Sequence, residues 1–169
     1  MADALQVELG AVDVSIDGAD IGHCKGGAEV TYEPEYYESS VDAYGKTPVQ
    51  ARLIGERLTV KVRFGEYTIA NLRKAMPQTQ FAGAANARIT IGAKAGKLAT
   101  DDTVELVLHP SDKGTREHDV VLYKAYPINA VVLTHQNDAD KVIEVEFLAL
   151  IDESKSDGNY LGLIGDSTA

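Results

Sequence analysis

The sequence predicts a mainly antiparallel β fold, a sandwich or barrel, with one α-helix covering an open edge or face. Three observations predict it. Apolar and polar residues alternate in several short runs, which is the period of a half-buried strand. Only residues 66–76 carry a helical period. The runs are punctuated by turn residues such as Asp17-Gly18, so successive strands reverse.

Taken in order, residues 1–10 read as a loosely held arm. Val12, Val14 and Ile16 then alternate with Asp13, Ser15 and Asp17 as a first strand. After the Asp17-Gly18 turn, residues 19–22 form a short return strand, and Gly26-Gly27 is a second break. Residues 28–33 alternate again. In the long strand over 50–64, Leu58, Val60, Val62 and Phe64 oppose Arg57, Thr59, Lys61 and Arg63, and Gly55 marks a bulge or bend. The helix places Ile69, Leu72 and Met76 at i, i+3 and i+7. Glu66 sits in its first turn, Arg73 and Lys74 in its last, and Pro77 stops it.

Residues 78–86 read as a polar linker, 87–93 as a strand and 94–97 as a turn. Strands follow over 103–109 and 119–126, joined by a polar turn over 110–118. Residues 128–133 continue as a strand or bent extension, and 136–140 reverse the chain. In 141–152, Ile143, Val145, Phe147 and Ala149 oppose Glu144, Glu146 and Leu148. The expected organisation is one domain over 1–152 with a protruding arm at 33–48. A Gly-, Ser- and Asp-rich tail over 153–169 is expected to be mobile or docked on a neighbour, with its apolar patch at 160–164.

Composition narrows the function. The 169 residues suffice for one cored domain and would cramp two. A formal charge of −10 repels nucleic-acid phosphates, which argues against a role built on gripping DNA or RNA but not against letting DNA slide past. Cys24 is the only cysteine, so no intrachain disulfide or thiolate cluster can form. The start, Met1-Ala-Asp-Ala-Leu, has neither a basic nor an apolar segment, so a secretion signal is not expected. No apolar run approaches the roughly 20 residues of a membrane span, so no membrane partner is expected.

Catalytic chemistry is sparse. His23 and Cys24 are adjacent, and on a strand they would point to opposite faces. His109, Asp112, His118 and Asp119 would meet across a hairpin turn as a metal or acid–base site, against the commoner reading of a solvated polar turn. Asn137-Asp138-Ala139-Asp140 lacks the glycine and closing glutamate of a calcium loop. Gly45-Lys46-Thr47 lacks the upstream glycine and following helix of a phosphate loop. No enzyme activity, cofactor or metal is expected. The polar insert is more telling: Glu35, Tyr36, Tyr37, Glu38, Asp42, Tyr44 and Lys46 interleave acids with polar-tipped aromatics, a composition suited to an interface.

Several pieces, in this order, carry a resemblance: Gly10-Ala-Val-Asp-Val-Ser-Ile-Asp-Gly-Ala-Asp-Ile-Gly22, Gly26-Gly-Ala-Glu-Val30, Tyr44-Gly-Lys-Thr-Pro48, Gly55-Glu-Arg-Leu-Thr-Val-Lys-Val62 and the 66–77 helix. Together they resemble the tail tube (major tail) proteins of tailed bacteriophages over the first half of the chain; the second half matches in strand rhythm. The resemblance implies a virion structural protein, assembled in the host bacterial cytoplasm, whose subunits form stacked six-membered rings around a hollow lumen. Inner strands of neighbouring subunits join into a continuous β-barrel, and a long loop, here residues 33–48, reaches the adjacent ring. Implied partners are copies of itself, a tape-measure protein, tail-tip and terminator proteins, a sheath in contractile relatives, and DNA passing without specific binding. Glu29, Thr31 and Glu33, or Glu144 and Glu146, are the expected lumen-facing residues. The alternatives are the tube of a contractile injection or secretion machine, and a monomeric β-sandwich binding module. The second is disfavoured by the absence of tryptophan.

Overall fold

A computed structural model describes residues 11–22, 24–82, 88–92, 95–111, 114–133, 141–156 and 158–166. Its elements are β1 (Val12–Ile16), β2 (Ala19–Asp20), β3 (Cys24–Ser40), β4 (Pro48–Phe64), α1 (Ile69–Ala75), β5 (Gln80–Ala82), β6 (Arg88–Thr90), β7 (Val104–Pro110), β8 (Val120–Pro127), β9 (Ile143–Ala149) and β10 (Gly162–Ile164). The main sheet runs β2-β1-β7-β8-β9-β4-β3, with β10 also paired to β8, and every pairing in it is antiparallel. Strands β5 and β6 form a separate small ribbon.

The sheet curls. In a flat sheet β1 and β3, five strands apart, would be separated by about 24 Å, yet here they touch. The cause is the alternation itself: each strand has one apolar face, and curling lets those faces share a single core. Val14, Ile16, Val60, Val62, Phe64, Leu106, Leu122, Ile143, Val145 and Phe147 meet there, all essentially removed from solvent.

Helix α1 is shorter than its sequence pattern. Thr68 Oγ1 accepts from the Asn71 N–H at 3.1 Å and caps the helix, which leaves Glu66 and Tyr67 outside it. Leu72 and Ala75 enter the core. Asn71 Nδ2 donates to the Ile21 carbonyl (2.8 Å) and to that of Glu66 (3.0 Å). Lys74 Nζ donates to the carbonyls of Ala19 and Asp20. These bonds hold α1 against β2 and the Ile21 that follows it.

Four expectations need correction. The stretch 33–40 is not a loop but the outer half of β3, paired with β4 from Glu33↔Arg57 to Ser40↔Pro48. The expected linker contains β5, paired with β6 as Phe81↔Ile89. Residues 128–133 form no strand, and Asn129 instead bonds the edge of β9 through the Glu144 carbonyl and the Glu146 N–H. The tail over 158–166 docks on its own subunit. Gly162 lies opposite Leu122, Gly165 N–H donates to the Asp119 carbonyl at 2.9 Å, and Leu161 packs on the core. Gly162 permits this because a Cβ there would collide with the Val121 carbonyl. The expected reversal at 136–140 lies outside the described residues.

Candidate functional site

Strands β3 and β4 are each 17 residues long, but only their inner halves belong to the body. Along β4, Leu58, Val60, Val62 and Phe64 are buried, whereas residues 48–54 are all exposed. Beyond the Glu33↔Arg57 pair the two strands therefore leave the body as a bare ribbon. Eight residues of strand at about 3.3 Å each give an arm of roughly 25 Å. Residues 33–40 (Glu-Pro-Glu-Tyr-Tyr-Glu-Ser-Ser) show no alternation, and the adjacent tyrosines, which favour strand geometry, let the ladder continue rather than loop.

The arm has two faces and a tip. On one face Tyr36 pairs with Leu53 and Glu38 with Ala51; on the other Tyr37 pairs with Arg52 and Ser39 with Gln50. The register slips between Glu35↔Gly55 and Tyr36↔Leu53, so Ile54 is the extra residue of a bulge next to Gly55. At the tip, Asp42–Tyr44 make a single 3₁₀ turn closed by Gly45 at φ 65°. All seven predicted arm residues lie here: Tyr36 and Glu38 on one face, Glu35 and Tyr37 on the other, Asp42, Tyr44 and Lys46 at the tip.

The sequence reading missed the β4 half of the arm. Val49, Leu53 and Ile54 are exposed beside Tyr36, Tyr37 and Tyr44, the last 68% exposed. Their signal was an apolar content too high for a solvated loop. A two-stranded ribbon is marginal alone in water, and one edged with exposed aromatics and aliphatics is unfavourable unless something covers it. At its root, the Tyr32 hydroxyl donates to Glu56 Oε1 at 2.6 Å, which raises the Tyr32 pKa.

The five predicted lumen residues occupy one surface. On β3, Glu29, Thr31 and Glu33 lie opposite Lys61, Thr59 and Arg57; on β9, Glu146 and Glu144 lie opposite Lys61 and Arg63. The two sets offered as alternatives thus share the outer face of β3, β4 and β9, with the cations between them. Glu144 accepts from Lys61 Nζ at 2.8 Å and Arg63 Nε at 2.7 Å, and these bonds lower its pKa. The face alternates in sign rather than being acidic.

Of the polar-turn residues, His109 and Asp119 do converge. His109 Nδ1 lies 2.6 Å from Asp119 Oδ1, and Asp119 is buried. His118 is exposed, and Asp112 and His23 lie outside the described residues. Because the Asp119 carbonyl also receives Gly165 N–H, the pair fastens the β7–β8 hairpin to the tail. Cys24 is half-buried against the core, and burial together with Asp13 and Asp20 pushes its thiol up to about 11. It is therefore a poor nucleophile at neutral pH. Among the described residues no three His, Cys, Asp or Glu side chains gather to hold a metal, and no helix is long and apolar enough to cross a membrane. No family model matches the chain, and no curated protein matches it either.

Proposed function

We propose that the protein is a structural subunit that assembles with its own copies into stacked rings, forming the hollow tail tube of a tailed bacteriophage. One observation carries the reading: the arm over 33–57 extends from a well-cored body and presents apolar side chains that the subunit itself does not cover. Burying them against another copy supplies the missing apolar contact, at roughly 25 cal/mol per Å² removed from water. Among the described residues the arm half of β3 pairs with β4 alone, which supports the same reading, since such an edge is a template for a further strand. Six-membered rings, a tape-measure protein in the lumen and the passage of DNA belong to this proposal through the resemblance.

The sign-alternating face of β3, β4 and β9 suits a conduit. Its cations are matched by acids one strand away, so they have little tendency to exchange their partners for phosphates. In this reading DNA slides because the wall's positive charge is already paired, within a subunit of net charge −10.

Negative-stain electron microscopy of the purified protein at rising concentration tests the proposal. Rings or hollow tubes of uniform width are expected, with symmetry readable from image averages. Monomers at every concentration would overturn self-assembly and favour a monomeric binding module.

A further inference from the structure

Asp119 stands just before β8 with its side chain only 2% exposed, and His109, near the end of β7, is 33% exposed. His109 Nδ1 is 2.6 Å from Asp119 Oδ1. The main chain of the same aspartate is pinned twice more. Its N–H donates to the Arg116 carbonyl at 3.2 Å, and its carbonyl accepts Gly165 N–H at 2.9 Å. One residue on, Val120↔Ile164 begins the short ladder that holds β10 to β8. The carboxylate that His109 grips therefore belongs to the residue on which the last strand of the tail is anchored.

The tail's other fastenings are made by hydroxyl and amide groups, which keep their charge near neutral pH. The Tyr123 hydroxyl donates to Asn159 Oδ1 at 3.0 Å, and Asp152 N–H to the Tyr160 carbonyl at 2.9 Å. Charged groups lie on the elements around the pair. On β1, Asp13 is the register partner of His109 and accepts from Ser111 Oγ at 2.9 Å. The turn between β7 and β8 carries Arg116, Glu117 and His118, all exposed; β10 carries no charge, and Asp166 follows it. Asp112 and Lys113 lie outside the described residues. Among the described residues, His109 is the cation paired with the Asp119 carboxylate. With the ring protonated, the two form a buried ion pair on a hydrogen bond. With the ring neutral, Nδ1–H can still donate, but the buried carboxylate loses its counter-charge.

We propose that His109 and Asp119 form a pH-sensitive clasp for the C-terminal segment. Protonated His109 fixes Asp119 and so holds residues 158–166 on β8. Loss of that proton loosens the segment and uncovers the β8 edge from Val120 to Leu122. Because the held form is the charged one, the contribution is complete below the titration of the ring and disappears as pH rises through it. The clasp works inside one subunit, whether or not copies assemble.

Amide exchange of the full chain tests it, followed by NMR with each rate divided by that of an unstructured amide at the same pH. Protection of residues 162–165 should fall about fivefold between about pH 5 and 8, the gap between a charge-assisted and an ordinary hydrogen bond over the range in which an imidazole titrates. The fall should share its midpoint with the titration of the His109 ring signals. His109→Gln, which keeps a side-chain donor but cannot gain a proton, should flatten the profile; His118→Gln should leave it as in wild type. Protection independent of pH in wild type, or a fall that survives His109→Gln, would overturn the clasp. A parallel fall in β4 and β9 would also overturn it, by assigning the pair to the whole body. If His109→Gln fails to fold, the two wild-type midpoints decide: midpoints that differ overturn the clasp.

Discussion

The arm and the body are built from the same two strands, yet they obey different physics. In β4 the side chains of Val60, Val62 and Phe64 have no solvent exposure, while Val49, Leu53 and Ile54 stand in water on the same continuous ladder. The β3–β4 ladder runs through both halves, but the inner half of β4 also pairs with β9 and buries one face in the core, whereas the outer half does neither. The body is stabilised from within its own chain. The arm has strand geometry without a core, and its apolar atoms acquire a use only when another surface meets them.

That contrast is broken most severely at Phe147, a large side chain with no exposure in the centre of the core. Phe147→Ala should cost about 3–5 kcal/mol through lost transfer energy and a cavity, enough to unfold much of the population in a urea titration. Deleting residues 41–47 should leave the urea midpoint within error of wild type and abolish stacking in electron micrographs. A deletion variant that still built long tubes would remove the inter-ring role from the arm.

These two outcomes also show what the sequence disclosed. The alternation of Leu58, Val60, Val62 and Phe64, and of Ile143, Val145 and Phe147, announced the core because burying one face leaves a two-residue period. The tyrosines and acids of 33–48 announced an exposed element. Its strand character was hidden, because with both faces solvated no apolar period is left to read. Helix α1 was overextended because Glu66 and Met76 satisfy composition rules, while the cap at Thr68 decides where the helix begins. The outer-face ladder was half legible. Each strand showed its polar side, but the register that sets Glu29 and Glu146 beside Lys61 depends on a fold that pairs residues far apart in sequence.

A smaller effect separates the body from its tail. Gly162→Ala should destabilise by about 1–3 kcal/mol, the range for overpacking a tight site, since the new methyl meets the Val121 carbonyl. The loss should appear as faster amide exchange in residues 158–166 before any global unfolding. Uniform exchange across the chain would show that the tail and body unfold as one unit.

Smaller again is the acid response of the ion pair at the tail's start. Asp152 accepts from Lys124 Nζ at 2.9 Å and from Ser154, and these bonds depress its pKa from 3.8 to about 2. A depressed carboxylate stabilises the fold above its unfolded value and loses that contribution as pH falls through its folded value. The Asp152 contribution should hold above about pH 4 and disappear between 4 and 2. Lys124→Ala should flatten the midpoint-versus-pH curve in that window; an unchanged curve would show that the Lys124 pair does not set the Asp152 pKa.

The least effect on stability is expected at Glu144, and it is the one that bears most on function. Its carboxylate bonds Lys61 and Arg63 on a half-exposed face, where ion pairs contribute little net energy. Glu144→Gln should therefore stay within about 0.5 kcal/mol of wild type and assemble normally. What changes is the electrostatics of the face: two cations lose their shared partner and gain affinity for phosphate. If this face lines the lumen, tubes carrying Glu144→Lys should release DNA more slowly, and added salt should relieve the delay because phosphate contacts are screened. Ejection kinetics indistinguishable from wild type at low salt would place β3, β4 and β9 away from the lumen. The arm, not the charge ladder, would then be the only part of this ribbon with an assembly role.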